Sequence, residues 1–258
     1  MSHHIVEVRN LKFHYPDQTL ALGGISFRIG HGESVAIVGA NGAGKSTLLQ
    51  HLNGYLTPGS GEVLIGDYLL TRETLREARR TVGMVFQDPD DQLFMATVAD
   101  DVAFGPLNLG LTPEEVEKRV TGALETVGLA QLRERPPHRL SAGQKRRVAI
   151  ASVLSMSPDI LVMDEPSAGL DPRVRTQLIA LLKTFRHTKI IATHDLDLVL
   201  DLCERTIVMH EGLVSADGPT LEIFANEELL AASCLEKPLR MQGCPVCRGR
   251  VEGGEEGS

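Results

Sequence analysis

The chain has 258 residues, 42% apolar and 23% charged, which is a soluble globular composition and enough for one large domain or two small ones. It contains no run of about 18 apolar residues, so no membrane-crossing helix is expected. The net charge of −8 argues against a nucleic-acid phosphate backbone as main partner.

The opening residues, Met1-Ser2-His3-His4-Ile5-Val6-Glu7, lack a cationic stretch followed by an apolar one, so no secretory signal is expected. The next segments alternate. Val6 and Val8 oppose Glu7 and Arg9, Phe13 and Tyr15 oppose Lys12 and His14, and Ile25, Phe27 and Ile29 oppose Ser26 and Arg28. This period of two predicts strands with one wet face, as in an antiparallel sheet.

From Ser34 onward the apolar runs become continuous: Val35 to Val38, Met84 to Phe86, Ile160 to Met163, Ile190 to Ala192 and Ile207 to Met209. Strands covered on both faces read this way, so the core sheet is expected to be mostly parallel. Two helical stripes lie between them, Val116, Val120, Ala123, Leu124, Val127 and Val174, Leu178, Leu181, Leu182, Phe185. The first begins with Thr112-Pro113-Glu114-Glu115, a capping box with proline at the first helical position.

Residues 88–158 carry helical patterns without a convincing strand and are expected to form a helical subdomain inserted in the core. The expected fold is α/β. Residues 4–230 would hold the main domain, and residues 231–258 a C-terminal extension whose Gly/Glu-rich end is partly mobile. The four cysteines are Cys203, Cys234, Cys244 and Cys247, three of them near the C-terminus, so no disulfide framework is expected and the cytosol is the natural compartment. Cys244-Pro245-Val246-Cys247 has the spacing of half a zinc site. With no second such pair, two free thiols in a tail are expected, and a four-cysteine site joining two tails is the alternative.

Gly39-Ala40-Asn41-Gly42-Ala43-Gly44-Lys45-Ser46-Thr47 follows an apolar strand and opens a helix. That is the context of a phosphate-binding loop, in which backbone N–H groups and a helix N-terminus hold phosphate. Lys45 would reach the β and γ phosphates, and the Ser46 hydroxyl would ligate Mg²⁺. Ile160-Leu161-Val162-Met163-Asp164-Glu165 is a buried strand ending in two carboxylates. Asp164 would hold Mg²⁺ through water, and Glu165 would orient or deprotonate the attacking water.

Leu140-Ser141-Ala142-Gly143-Gln144 starts another helix, and Ser-x-x-Gln is itself a capping box. The pentapeptide also resembles the signature of ABC ATPases, usually Leu-Ser-Gly-Gly-Gln, with Ala142 replacing the first glycine. The resemblance extends over residues 4 to about 225. It implies that Tyr15 stacks on adenine, that Gln87 senses Mg²⁺ and the membrane partner, and that residues 167–171 cross a dimer interface. It further implies that His194 contacts the γ-phosphate, and that Ser141, Gly143 and Gln144 face ATP bound by a partner subunit.

A narrower resemblance rests on Val85 to Phe94, then Thr97-Val98, then Asp101 to Gly110. These segments are similar to the ATPases of energy-coupling factor importers, which serve cobalt, nickel or vitamin uptake. The resemblance implies ATP and Mg²⁺ as cofactors and a homodimer or a heterodimer with a second ABC ATPase. A transmembrane scaffold subunit and a substrate-binding membrane subunit would be the other partners. The location would be the cytoplasmic face of the cell membrane, and the cargo cobalt or nickel rather than a vitamin. A DNA-repair or ribosomal ATPase is disfavoured, because no long coiled coil and no second cassette are present. An ordinary phosphate-loop kinase or GTPase would lack the signature element and the Asp164-Glu165-Pro166 tip.

Overall fold

The computed structural model describes residues 4–242; Cys244 and Cys247 lie outside them. The chain begins with β1 (His4–His14) and β2 (Leu20–Gly30), which pair antiparallel. Later strands β4 (Ser60–Ile65) and β5 (Tyr68–Leu69) complete a four-stranded antiparallel sheet in the order β2-β1-β4-β5. Asn10 has φ 46° and the pairing register shifts between Val8 and Leu11. This bulge reverses the alternation, so Val6, Val8 and then Leu11 are all buried.

The second sheet holds β3 (Ser34–Val38), β6 (Val82–Val85), β7 (Ile160–Asp164), β8 (Thr188–Ala192), β9 (Arg205–His210) and β10 (Leu213–Pro219). Its order is β10-β9-β3-β8-β7-β6, all parallel except β10. The continuous apolar runs are explained by two cores. Val35, Ile37, Ile160 and Val162 face the antiparallel sheet and α1 (Lys45–Leu52). Ala36, Val38, Leu161 and Met163 face the remaining helices.

On that second face lie α3 (Val98–Asn108), α4 (Pro113–Thr126), α5 (Ala142–Leu154), α6 (Pro172–Thr184) and α7 (Leu196–Leu202). The short α2 (Leu75–Thr81) leads into β6. Thr112 and Glu115 form the capping box at the start of α4. Val127 and Phe185, each last in its stripe, are the C-cap residues of α4 and α6. Residues 88–158 contain three helices and short 3₁₀ turns but no strand. Their apolar side chains share one core with the sheet through α5.

Two short helices, α8 (Thr220–Ala225) and α9 (Glu227–Ala232), follow β10. Beyond them the chain docks back on α7. Asp197 accepts the N–H of Leu239 at 3.2 Å and of Arg240 at 3.1 Å, and Arg240 pairs with Asp201 at 2.8 Å. Among the described residues no helix is long and apolar enough to cross a membrane.

Candidate functional site

The loops that carry the predicted chemistry leave the C-terminal ends of β3, β6, β7 and β8, the edge where open α/β sheets bind ligands. The loop after β3 must pass between two neighbours. A Cβ on Gly39 would come within 2.3 Å of the Met209 carbonyl, and one on Gly44 within 2.5 Å of the Ala21 carbonyl. Gly44 also has φ 97° and caps α1, whose first turn holds no acid. The helix therefore presents bare N–H groups and partial positive charge to the cleft.

Lys45 folds back over this loop. Its Nζ donates to the carbonyls of Gly39 at 2.8 Å and Ala40 at 3.1 Å. Burial pushes the Lys45 pKa down, and the nearby Glu165 and Asp164 charges oppose that shift. Ser46 and Thr47 follow on α1. The Tyr15 hydroxyl shares a 2.8 Å hydrogen bond with that of Thr47, which pins the Tyr15 ring beside the loop.

The facing wall is built by β7. Asp164 is 4% exposed, and its Oδ1 has no hydrogen-bond partner. Burial drives the Asp164 pKa up, the Glu165 charge adds to this, and a bond from the Ser46 hydroxyl opposes it. Glu165 stands in the left-handed region at φ 46°. Its carboxylate is held by Thr193 Oγ1 at 2.9 Å, by the His194 N–H at 3.1 Å and by His194 Nδ1 at 2.9 Å. Thr193 was not among the expected site residues; its signal was its place just before His194.

Tyr15, Asn41, Gly42, Gly44, Lys45, Ser46, Thr47, Gln87, Glu165 and His194 thus line one cavity of about 520 Å³. Asp164 lines an adjoining cleft of about 680 Å³, together with Ser46 and Gln87. Ser141, Gly143 and Gln144 line neither of these two spaces within this chain. Instead, Ser141 Oγ accepts the Gln144 N–H at 3.3 Å and Gln144 Oε1 accepts the Ser141 N–H at 3.0 Å, a complete capping box on α5.

Gln87 is fixed from behind by α5. The buried Arg146 donates to the carbonyls of Phe86 at 2.9 Å and Gln87 at 2.5 Å. Gln92 accepts the Phe86 N–H at 3.1 Å and donates to Ala149 O at 2.8 Å and Ser152 Oγ at 2.9 Å. Neither residue was singled out from sequence.

The acids after Gln87 divide in role. Asp90 pairs with Lys145 of α5 at 2.6 Å. Asp101 is buried, with Oδ1 accepting the N–H groups of Phe94 and Met95. Leu93 and Val98 belong to the core. Phe94 is 63% exposed and meets Phe104 edge to face at 5.0 Å.

Residues 22–168 match the ABC transporter family model. A protein of Geobacter sulfurreducens named as an ABC transporter ATP-binding protein is 72% identical over 247 residues, covering 96% of this chain and 99% of that one. The energy-coupling factor transporter ATP-binding protein EcfA of Methanocaldococcus jannaschii is 49% identical, covering 91% of this chain and 86% of that one. The structure of cbiO1 from Clostridium perfringens, part of the ABC transporter complex cbiONQ, superposes with a TM-score of 0.79 at 43% identity, covering 97% of this chain and 100% of that chain. With the phosphate loop, the paired carboxylates and the capped signature helix in place, the chain belongs to the ABC transporter ATP-binding family, in its energy-coupling factor subgroup, and is an ATPase.

Proposed function

We propose that this chain hydrolyses ATP to drive an energy-coupling factor importer, with cobalt or nickel as cargo. The observation that carries the ATPase half is the Glu165 carboxylate, held by the Thr193 hydroxyl and the His194 N–H at the rim of the cavity that Lys45 and the phosphate loop enclose. In this reading Tyr15 stacks on adenine, and Gly39, Asn41, Gly42, Gly44 and Thr47 cradle the phosphates. Lys45 leaves the two loop carbonyls for the β and γ oxygens. Glu165 accepts a proton from the attacking water, and His194 braces the γ-phosphate.

Mg²⁺ fits the oxygen set of Ser46, Gln87 and Asp164, because Asp164 Oδ1 is buried without a partner and one carboxylate plus phosphates suits this ion. When bound it would neutralise charge on the β and γ oxygens.

In this reading Ser141, Gly143 and Gln144 serve the ATP of a second ATPase subunit, either an identical copy or a related one. The signature helix end would then meet a γ-phosphate across the interface, which makes ATP the adhesive between subunits. The exposed Phe94–Phe104 pair marks where a helix of a transmembrane scaffold would dock, with a separate membrane subunit binding the cargo. This arrangement puts the chain at the cytoplasmic face of the membrane. The likeness of residues 85–110 is to energy-coupling factor importer ATPases, which serve cobalt, nickel or vitamin uptake. The lean to metal rests on the resemblance as a whole and on the single, symmetric-looking set of site residues, and vitamin uptake is the second reading.

Glu165→Gln should keep ATP binding and slow hydrolysis by roughly 10²–10⁴, the usual worth of a general base. Near-normal turnover would remove Glu165 from the mechanism. Uptake of radioactive cobalt and nickel by vesicles holding the assembled complex tests the cargo, and uptake of neither metal would reject it.

A further inference from the structure

The residue after the switch histidine is bonded beyond what its helix requires. Asp195 caps α7, with Oδ1 accepting the Leu198 N–H at 2.9 Å. That bond alone would satisfy the cap. The same carboxylate also receives Arg175 from α6 in a two-pronged grip, Nε to Oδ2 at 2.9 Å and Nη2 to Oδ1 at 3.0 Å. Ser167 Oγ, two residues past Glu165, donates to Oδ2 at 3.1 Å. The Asp195 N–H donates to Thr193 Oγ1 at 3.0 Å, and this hydroxyl donates onward to Glu165 Oε2.

One carboxylate therefore joins α6, the loop after Glu165 and the segment that holds the Glu165 carboxylate. Arg175 and Asp195 are 28% and 24% exposed, so solvent screens them less than an ordinary surface pair. A planar guanidinium bound through two nitrogens also fixes direction, which a lysine would not. On its other side α6 abuts the signature helix. A Cβ on Gly143 would come 3.1 Å from Val174 Cγ1, so residues 174 and 175 touch both ends of the path.

We propose that Arg175 and Asp195 form a positioning clamp. It sets Thr193 and His194 in register with Glu165, and it carries the position of the signature helix to them through α6. Neither residue lines the nucleotide cavity, so both act through others. The proposal rests on the reading of Glu165 as the group that activates water.

The test uses the full-length chain, with ATP hydrolysis and nucleotide affinity measured for Arg175→Ala, Arg175→Lys, Ser167→Ala and Glu165→Gln. Arg175→Ala should lower kcat about tenfold to a hundredfold, the usual loss when the support behind a reacting group is removed. Affinity for ATP should stay within about twofold, since phosphate-loop contacts are untouched. Arg175→Lys should recover part of the loss, because charge returns without the fork. Added to Glu165→Gln, Arg175→Ala should lower the rate no further.

An unchanged kcat, a parallel fall of kcat and affinity, or full additivity with Glu165→Gln would overturn the clamp. If Arg175→Ala does not fold, Ser167→Ala decides, with at least about a threefold fall in kcat expected for one lost bond. Near-normal hydrolysis by Glu165→Gln would instead reject the catalytic reading of Glu165. The Arg175 variants would then still report on the clamp through His194.

Discussion

Asp164 and Asp195 are both acids of the site edge whose pKa shifts have opposite signs. Asp195 has a lowered pKa: burial opposes ionisation, but Arg175 and the Leu198 N–H overcome it. Its contribution to stability is present at neutral pH and fades as pH falls through the folded-state value. Asp164 is raised, chiefly by burial. Its fold is most secure when the group is protonated, and stability falls as pH rises from the ordinary value of 3.8 through the raised one. Burying a charge at this position costs stability, and a bound cation would offset that cost. Asp164→Asn should therefore raise the melting temperature of the nucleotide-free protein by about 2 °C or more while abolishing hydrolysis. The gain should be present at pH 7 and vanish below about pH 4, where both side chains are neutral. A lower melting temperature at pH 7 would contradict this account. The motif residues were legible in sequence because loop and strand-tip chemistry is local. Arg146, Arg175 and the burial of Asp101 were not legible, because a charge becomes a buried linker only when distant segments meet.

Among the elements, α5 joins two parts of the molecule. Its first turn carries the signature, and its flank holds Gln87 through Arg146 and Gln92. Gln92→Leu would fill similar space but cut the bonds to Phe86, Ala149 and Ser152. It should lower unfolding stability by about 1–3 kcal/mol, the range for leaving buried groups unpaired. Denaturant unfolding with an unchanged slope checks this, and an unaltered midpoint would mean the loop is held otherwise. Asp90 belongs to the same connection. Its pairing with Lys145 means that reversing its charge would disturb α5 as well as the surface, so Asp91 is the cleaner probe for partner docking. The period-two strands and the capped helix α4 were readable from local pattern. The bulge at Asn10 and the sharing of one core by α4, α5 and the sheet depend on pairing and packing that the local pattern does not encode.

For the whole molecule, the proposed service of Ser141 to a neighbouring subunit's ATP makes hydrolysis depend on assembly. Hydrolysis by the isolated subunit should rise faster than linearly with protein concentration, and Ser141→Arg should abolish it while leaving ATP binding by the monomer intact. Strict proportionality over a range where the protein is monomeric would favour a self-contained site. The mostly parallel sheet was legible because strands buried on both faces lose their alternation. The C-terminal docking on α7 through Asp197 and Asp201 was not, since no periodicity marks residues 231–242.

Phe94, Phe104 and the 56% exposed Leu107 keep an apolar patch in water for as long as the chain is alone. Such a patch ties the fate of each copy to the supply of whatever covers it. Cells making this subunit in excess should accumulate clumped or degraded protein, and matched production of the membrane scaffold should rescue it. Phe94→Ser should raise the concentration at which the purified chain stays dispersed in light scattering, with its basal ATPase rate retained. The same surface that equips the chain to join a machine would then limit how many unemployed copies a cell can hold.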